Sequence, residues 1–243
     1  MAKKKYWDET FYPQPTEAVL KRNAANTAKK AEKKGQTLNP VIITGRKIAK
    51  SWWGQAWCQN LERYADYDTR LGRGQRYVRT GAVVDLQIQK GKIAAKVQGS
   101  RRVPYKVEIR ISPLSQERCD DVMERCGQRV DTMENLVNGS FPAELKDVFL
   151  SEDGLFPKPR EISFNCSCPD WAMMCKHVAA ALYGVGARLD DDPLLFFTLR
   201  GIDTNRFVDT VIANRVESML EHADSRSDRI MDADGWEDLF GVL

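Results

Sequence analysis

The tightest constraint on the fold is a set of three alternating segments between residues 84 and 111. Val84, Leu86 and Ile88 alternate with Asp85, Gln87 and Gln89. After a turn at Lys90-Gly91, Ile93, Ala95 and Val97 alternate with Lys92, Ala94 and Lys96. Beyond Arg101-Arg102 and Pro104, Tyr105, Val107, Ile109 and Ile111 alternate with Lys106, Glu108 and Arg110. A period of two sends successive side chains to opposite faces, and short turns join only antiparallel neighbours. The segments predict an antiparallel β-meander with one wet face.

Helical signals surround it, so the expected class is α+β, a meander packed with helices. Trp53 and Trp57 lie four apart on one helix face and are expected to anchor the core. Ser115 caps a helix reaching about Gln128, with further helical pieces near 131–138 and 142–150. A short strand is expected over Glu161 to Asn165, then a helix over about Cys175–Leu189 and another opened by Asp192-Pro193. From Thr204 the pairs Phe207/Val208, Val211/Ile212 and Met219/Leu220 mark an amphipathic helix. Near the start, Thr16 caps a helix that Gly35 stops. Its apolar positions are mostly alanines, so it is expected to be weakly attached or a solvated arm.

With 243 residues, 42% of them apolar and 29% charged, the chain has room for one sizeable domain or two small ones. This excludes a disordered, collagen-like or disulfide-miniprotein chain. There is no apolar run of about 18 residues to span a membrane. The opening residues lack the apolar stretch of a secretory signal, and six cysteines are too few for a disulfide scaffold. The expected compartment is the reducing cytoplasm. The net charge of +3 is unevenly spread: +8 over residues 1–50, +2 over 51–185 and −7 over 186–243. The organisation expected is a basic arm (1–44), an α+β domain (45–160), a finger (161–189), closing helices (190–222) and an acidic tail (223–243).

The chemistry concentrates in Cys166-Ser-Cys168-Pro-Asp-Trp-Ala-Met-Met-Cys175-Lys-His177. Three thiols and an imidazole form a recognised tetrahedral zinc set. Pro169-Asp170 supplies the turn that lets Cys166 and Cys168 face one side. Cys175 and His177 come from a helix's first turn, where backbone N–H groups favour thiolate. Buried thiols, a disulfide and an iron–sulfur cluster are the alternatives. Four protein ligands leave no open position, so the expected ion is a single structural Zn2+. Cys119 and Cys126, seven residues apart and so about 10 Å along a helix, exceed the roughly 7 Å reach of a disulfide. With Cys58 they read as small core residues, and His222 as a surface residue.

The cluster resembles the SWIM zinc finger, C-x-C followed by C-x-H, which Cys166, Cys168, Cys175 and His177 fit. Trp52 to Trp57, Arg70 to Tyr77, Val97 to Ser100 and Asp192 to Arg200 are similar to segments of bacterial SWIM zinc finger family proteins. The likeness covers roughly residues 45–202. It implies DNA binding or protein–protein contact, and a Swi/Snf-type helicase-like ATPase as partner.

Among the remaining features, Arg70, Arg73, Arg76 and Arg79 recur every third residue among three glycines, and are candidates to contact phosphate. The alternative is a solvated loop paired with Asp66, Asp68 or Asp85. Lys96, Arg101 and Arg102 would extend that basic surface. Trp236, Leu239 and Phe240 have i, i+3, i+4 spacing and are a candidate partner-binding stripe. No Walker A pattern and no thiol–histidine or serine–histidine pair is evident, so no enzyme is expected. Two functions remain: a non-catalytic zinc module contacting nucleic acid, or a protein adaptor shaped by zinc. Neither implies a membrane or a small-molecule substrate.

Overall fold

The alternating segments form the sheet. A computed structural model describes residues 14–127, 141, 143–151 and 153–221. Strands β1 (Val83–Gln89), β2 (Lys92–Val97) and β3 (Tyr105–Ile111) pair antiparallel in sequence order. A fourth, β4 (Ile162–Cys166), adds to β3 with Val107 opposite Cys166 and Ile111 opposite Ile162. Ile93 lies between Ile88 and Ile109, and Ala95 between Leu86 and Val107, so one apolar face forms. The other face carries Asp85, Lys96, Lys106, Glu108 and Arg110, and is the wet one expected. An irregularity between Val83 and Asp85 buries both Val83 and Val84. The chain at Asn39 and Val41 hydrogen-bonds along β1 and covers that edge.

Eight α-helices lie among the described residues: α1 (Glu17–Glu32), α2 (Trp52–Glu62), α3 (Asp68–Arg79), α4 (Gln116–Gly127), α5 (Lys146–Leu150), α6 (Lys176–Asp191), α7 (Leu195–Arg200) and α8 (Thr204–Glu221). The central one is α6, buried along almost its whole length against the sheet, α2 and α3. Small residues permit that closeness. A Cβ on Gly54 would fall 2.8 Å from the Gly186 carbonyl oxygen, and one on Gly74 would fall 2.6 Å from the Ala179 Cβ. Trp53 and Trp57 are buried, and their indole N–H groups donate to the carbonyls of Leu189 (2.7 Å) and Leu182 (2.9 Å). Trp52, Phe141, Phe149, Phe156, Phe196 and Phe197 continue a cluster of edge-to-face and tilted aromatic contacts around them.

Three findings depart from the sequence reading. The first is that α1, capped by Thr16 as expected, is not weakly attached. Leu20, Ala24 and Ala31 are buried, the Asn23 amide donates to the Gly99 carbonyl (3.1 Å), and the Thr27 hydroxyl donates to Gln98 (2.7 Å). One leucine and two polar anchors make up for the small alanines. The second concerns the arginine–glycine segment, which is the helix α3 and not the solvated loop given as the alternative to a phosphate contact. Only Gly81, just past its end, has a left-handed φ (+71°). The third concerns α8, which buries Phe207 and Val211 but exposes Ile212, Val216, Met219 and Leu220. The piece expected near 131–138, His222 and the stripe Trp236, Leu239 and Phe240 lie outside the described residues. No described helix is long and apolar enough to cross a membrane.

Candidate metal centre

The end of β4 and the start of α6 bring the four candidate ligands together. Ser167 extends the ladder: its N–H donates to the Lys106 carbonyl (3.0 Å), and its hydroxyl accepts from the Lys106 N–H (2.9 Å). That fixes Cys166 and Cys168 beside β3 before Pro169 turns the chain. Cys175 is the extended N-cap of α6, and His177 follows in its first turn. One ligand atom from each of Cys166, Cys168, Cys175 and His177 lies within 4.8 Å of all the others. His177 Nδ1 is 3.9 Å from both the Cys166 and the Cys175 sulfur. A tetrahedral thiolate–imidazole site with ordinary bond lengths has edges of about 3.6–3.8 Å, so a small contraction closes the four around an ion.

The protonation chemistry suits a cation. Burial holds the His177 pKa below the ordinary histidine value, favouring the neutral imidazole that ligates. Hydrogen bonds from Cys166 and Cys175 hold the Cys168 thiol far below the ordinary cysteine range. Donating to Cys168 and Cys175 pushes Cys166 far above it. Three thiols this close disfavour one another's ionisation, which a bound cation would relieve. The donor set and its geometry fit a metal ion held by all four side chains.

Residues distant in sequence build the surroundings. Tyr105 stacks on the His177 ring at 4.1 Å, and Tyr77 meets its edge at 5.4 Å. Gly99 is required there, because a Cβ would fall 2.8 Å from the Tyr105 ring. The loop between Cys168 and Cys175 is pinned twice. Asp170 pairs with Arg70 (3.1 Å), and Asp66 accepts from the N–H groups of Met173 (2.9 Å) and Met174 (3.3 Å). None of Tyr77, Gly99, Tyr105 and Asp66 was read as part of a site. In the sequence Tyr105 reads as a strand residue, Tyr77 belongs to the arginine–glycine segment, and Asp66 is a candidate partner of its arginines; in the structure Asp66 instead holds the finger loop.

The candidate phosphate contacts are spread along α3 and its neighbours. Arg70 is engaged by Asp170, Arg76 donates to the Pro15 carbonyl (2.9 Å), and Arg79 donates to the Arg46 carbonyl (3.3 Å). Arg73 is half-buried on the same helix. Lys96 pairs with Asp85 (2.9 Å) on the wet sheet face. Arg101 lies 5.5 Å over the Tyr105 ring, and Arg102 is exposed beside it. Cys58, Cys119 and Cys126 form no disulfide and are not part of the cluster; burial pushes the Cys58 thiol up to about 12.

No protein-family model matches the chain, and no solved structure matches it. It is similar to an uncharacterized protein of Mycobacterium tuberculosis, 34% identical over 179 residues that cover 73% of this chain and 64% of that protein. The match thus spans less than two thirds of the relative's length.

Proposed function

We propose that the centre holds one structural zinc ion in a SWIM-type finger, and that the chain is a non-catalytic module contacting nucleic acid. Three sulfurs and a neutral imidazole are donors that zinc prefers, and a closed four-ligand site leaves no position for a reacting water. The C-x-C and C-x-H spacings support the finger type, and the SWIM resemblance supports a Swi/Snf-type helicase-like ATPase as partner.

The observation that carries the nucleic-acid reading is the outer side of α1. Lys21, Arg22, Lys29, Lys30, Lys33 and Lys34 are exposed and in no ion pair with a described residue. Arg22, Lys29 and Lys33 share the helix face opposite buried Leu20, Ala24 and Ala31. The helix is fixed through Asn23 and Thr27 to Gln98 and Gly99, next to Arg101 and Arg102. A docked, unneutralised row of cations beside the finger attracts a phosphate backbone without reading its sequence.

The test is a titration of the zinc-loaded protein with labelled DNA and RNA at several salt concentrations. Binding should weaken linearly in a log–log plot. Replacing Arg22, Lys29 and Lys33 by Glu should flatten the slope by about 2 to 3, at roughly 0.9 per phosphate contact. No affinity at about 50 mM salt overturns this reading. The adaptor reading then leads. It is favoured by Ile212, Val216, Met219 and Leu220, exposed on α8 at spacings that suit docking onto a partner protein.

A further inference from the structure

The finger loop exposes an aromatic group that its own domain holds still. Trp171 is 73% exposed and Met173 71%, whereas Trp53 and Trp57 are buried. Leaving so much apolar surface in water is costly, and a loose loop would fold it inward. Here the loop is clamped at both ends by ligand cysteines, at Asp170 by Arg70 and at Met173 and Met174 by Asp66. The ring itself is set edge-to-face against Tyr67, with centroids 5.5 Å apart at 83°.

From the nucleic-acid reading above, we infer that Trp171, supported by Tyr67, is a stacking platform for an unpaired base, so that this face takes single-stranded nucleic acid. Size and charge select that occupant. Two rings and a thioether cover far less than the roughly 800 Å² per partner of a standard protein interface, but suit a single base. The nearby carboxylates are already engaged, Asp170 with Arg70 and Asp66 with two backbone N–H groups. Beyond Arg70, which Asp170 neutralises, the helix leading away from Tyr67 carries Arg73, Arg76 and Arg79 against a single acid, Asp68. It runs about 13 Å from Tyr67 to Arg76, whose guanidinium meets Pro15 at the start of basic α1. A strand stacked at Trp171 therefore has a cationic track toward α1. A preorganised ring loses little entropy when a base settles on it, and each stacked base contributes regardless of identity.

The experiment uses the full zinc-loaded chain, a twelve-residue oligothymidine and a duplex of equal length. The oligothymidine should quench tryptophan emission. Trp171→Ala should weaken its binding about 5- to 100-fold, with duplex affinity, salt slope and metal content unchanged. Trp171→Phe should restore most of the affinity. Because the side chain is exposed, unchanged metal content in Trp171→Ala shows that the finger is intact. Wild-type oligothymidine affinity in Trp171→Ala, or an equal loss on duplex, overturns the platform while the α1 reading stands. If the wild type binds neither nucleic acid, the reading beneath it fails as well, and the aromatic pair belongs to a protein contact.

Discussion

Gly74 sits where α3 crosses α6, and its replacement by alanine separates two opposing effects. A Cβ there would fall 2.6 Å from the Ala179 Cβ and 3.0 Å from the Ala180 backbone nitrogen. Carbon atoms rest at about 3.5–4.0 Å, so the two helices must part by about 1 Å, and neither neighbour is a flexible side-chain tip. Gly72, two residues earlier on the same helix, has nothing within 4 Å of its would-be Cβ. Helix propensity favours alanine over glycine by about 1 kcal/mol at both positions. At Gly72 that gain stands alone. At Gly74 overpacking opposes it at about 1–3 kcal/mol. The propensity terms cancel between the two variants, so their stabilities should differ by about 1–3 kcal/mol, the Gly74→Ala protein being the weaker. For a chain of this size each kcal/mol moves Tm by about 2–4 °C. Melts at equal metal loading should therefore place Gly72→Ala above Gly74→Ala by several degrees. A displaced α3 also shifts Tyr77 against His177, so Gly74→Ala should release metal to a chelator faster. Equal stability of the two variants would refute the close crossing of α3 and α6.

Two further predictions concern the metal and a buried charge. On the proposed zinc reading, Cys175→Ser removes one of four candidate ligands, and since a structural zinc supplies on the order of 10 kcal/mol of folding free energy, the variant should lose stoichiometric metal and melt far lower. A melt unchanged by the substitution and by metal stripping would contradict the centre. Glu161 accepts from Arg118 (3.2 Å) and from the buried Arg200 (3.0 Å), and burial alone would raise its pKa. The Lys158 N–H, Arg200 and Arg118 outweigh that and hold it below the usual glutamate range. Its contribution is present above about pH 4.3 and disappears as pH falls through the lower folded value. Glu161→Gln should cost about 1–2 kcal/mol at pH 7, because it removes the carboxylate facing Arg200 while the Ser112 carbonyl still accepts from that guanidinium, and should flatten the acid limb of a stability–pH curve. A variant with the wild-type acid limb would show that the pair is not linked to folding.

What was legible in the sequence was local. The candidate ligands Cys166, Cys168, Cys175 and His177 fall within twelve residues, so one turn and one helix start suffice to converge them. The three strands announced themselves because a half-buried sheet imposes a period of two on the chain that forms it. Trp53 and Trp57 were readable as core residues because a helix sets i and i+4 on one face.

The rest was decided between segments far apart in the chain. Nothing in the spacing of Arg70, Gly72, Arg73 and Gly74 distinguishes a loop from a helix; the narrow surface that Ala179 and Ala180 offer on α6 gives Gly74 its place. α1 looked too poor in apolar area to dock, yet Gln98 and Gly99, more than seventy residues away, supply its polar anchors. Tyr105 and Tyr77 enclose His177 only because β3 and α3 both pack against α6. Spacing along the chain fixes which groups can meet through a single turn. Which distant surfaces close over them depends on long-range packing, where shape and burial, rather than periodicity, carry the free energy.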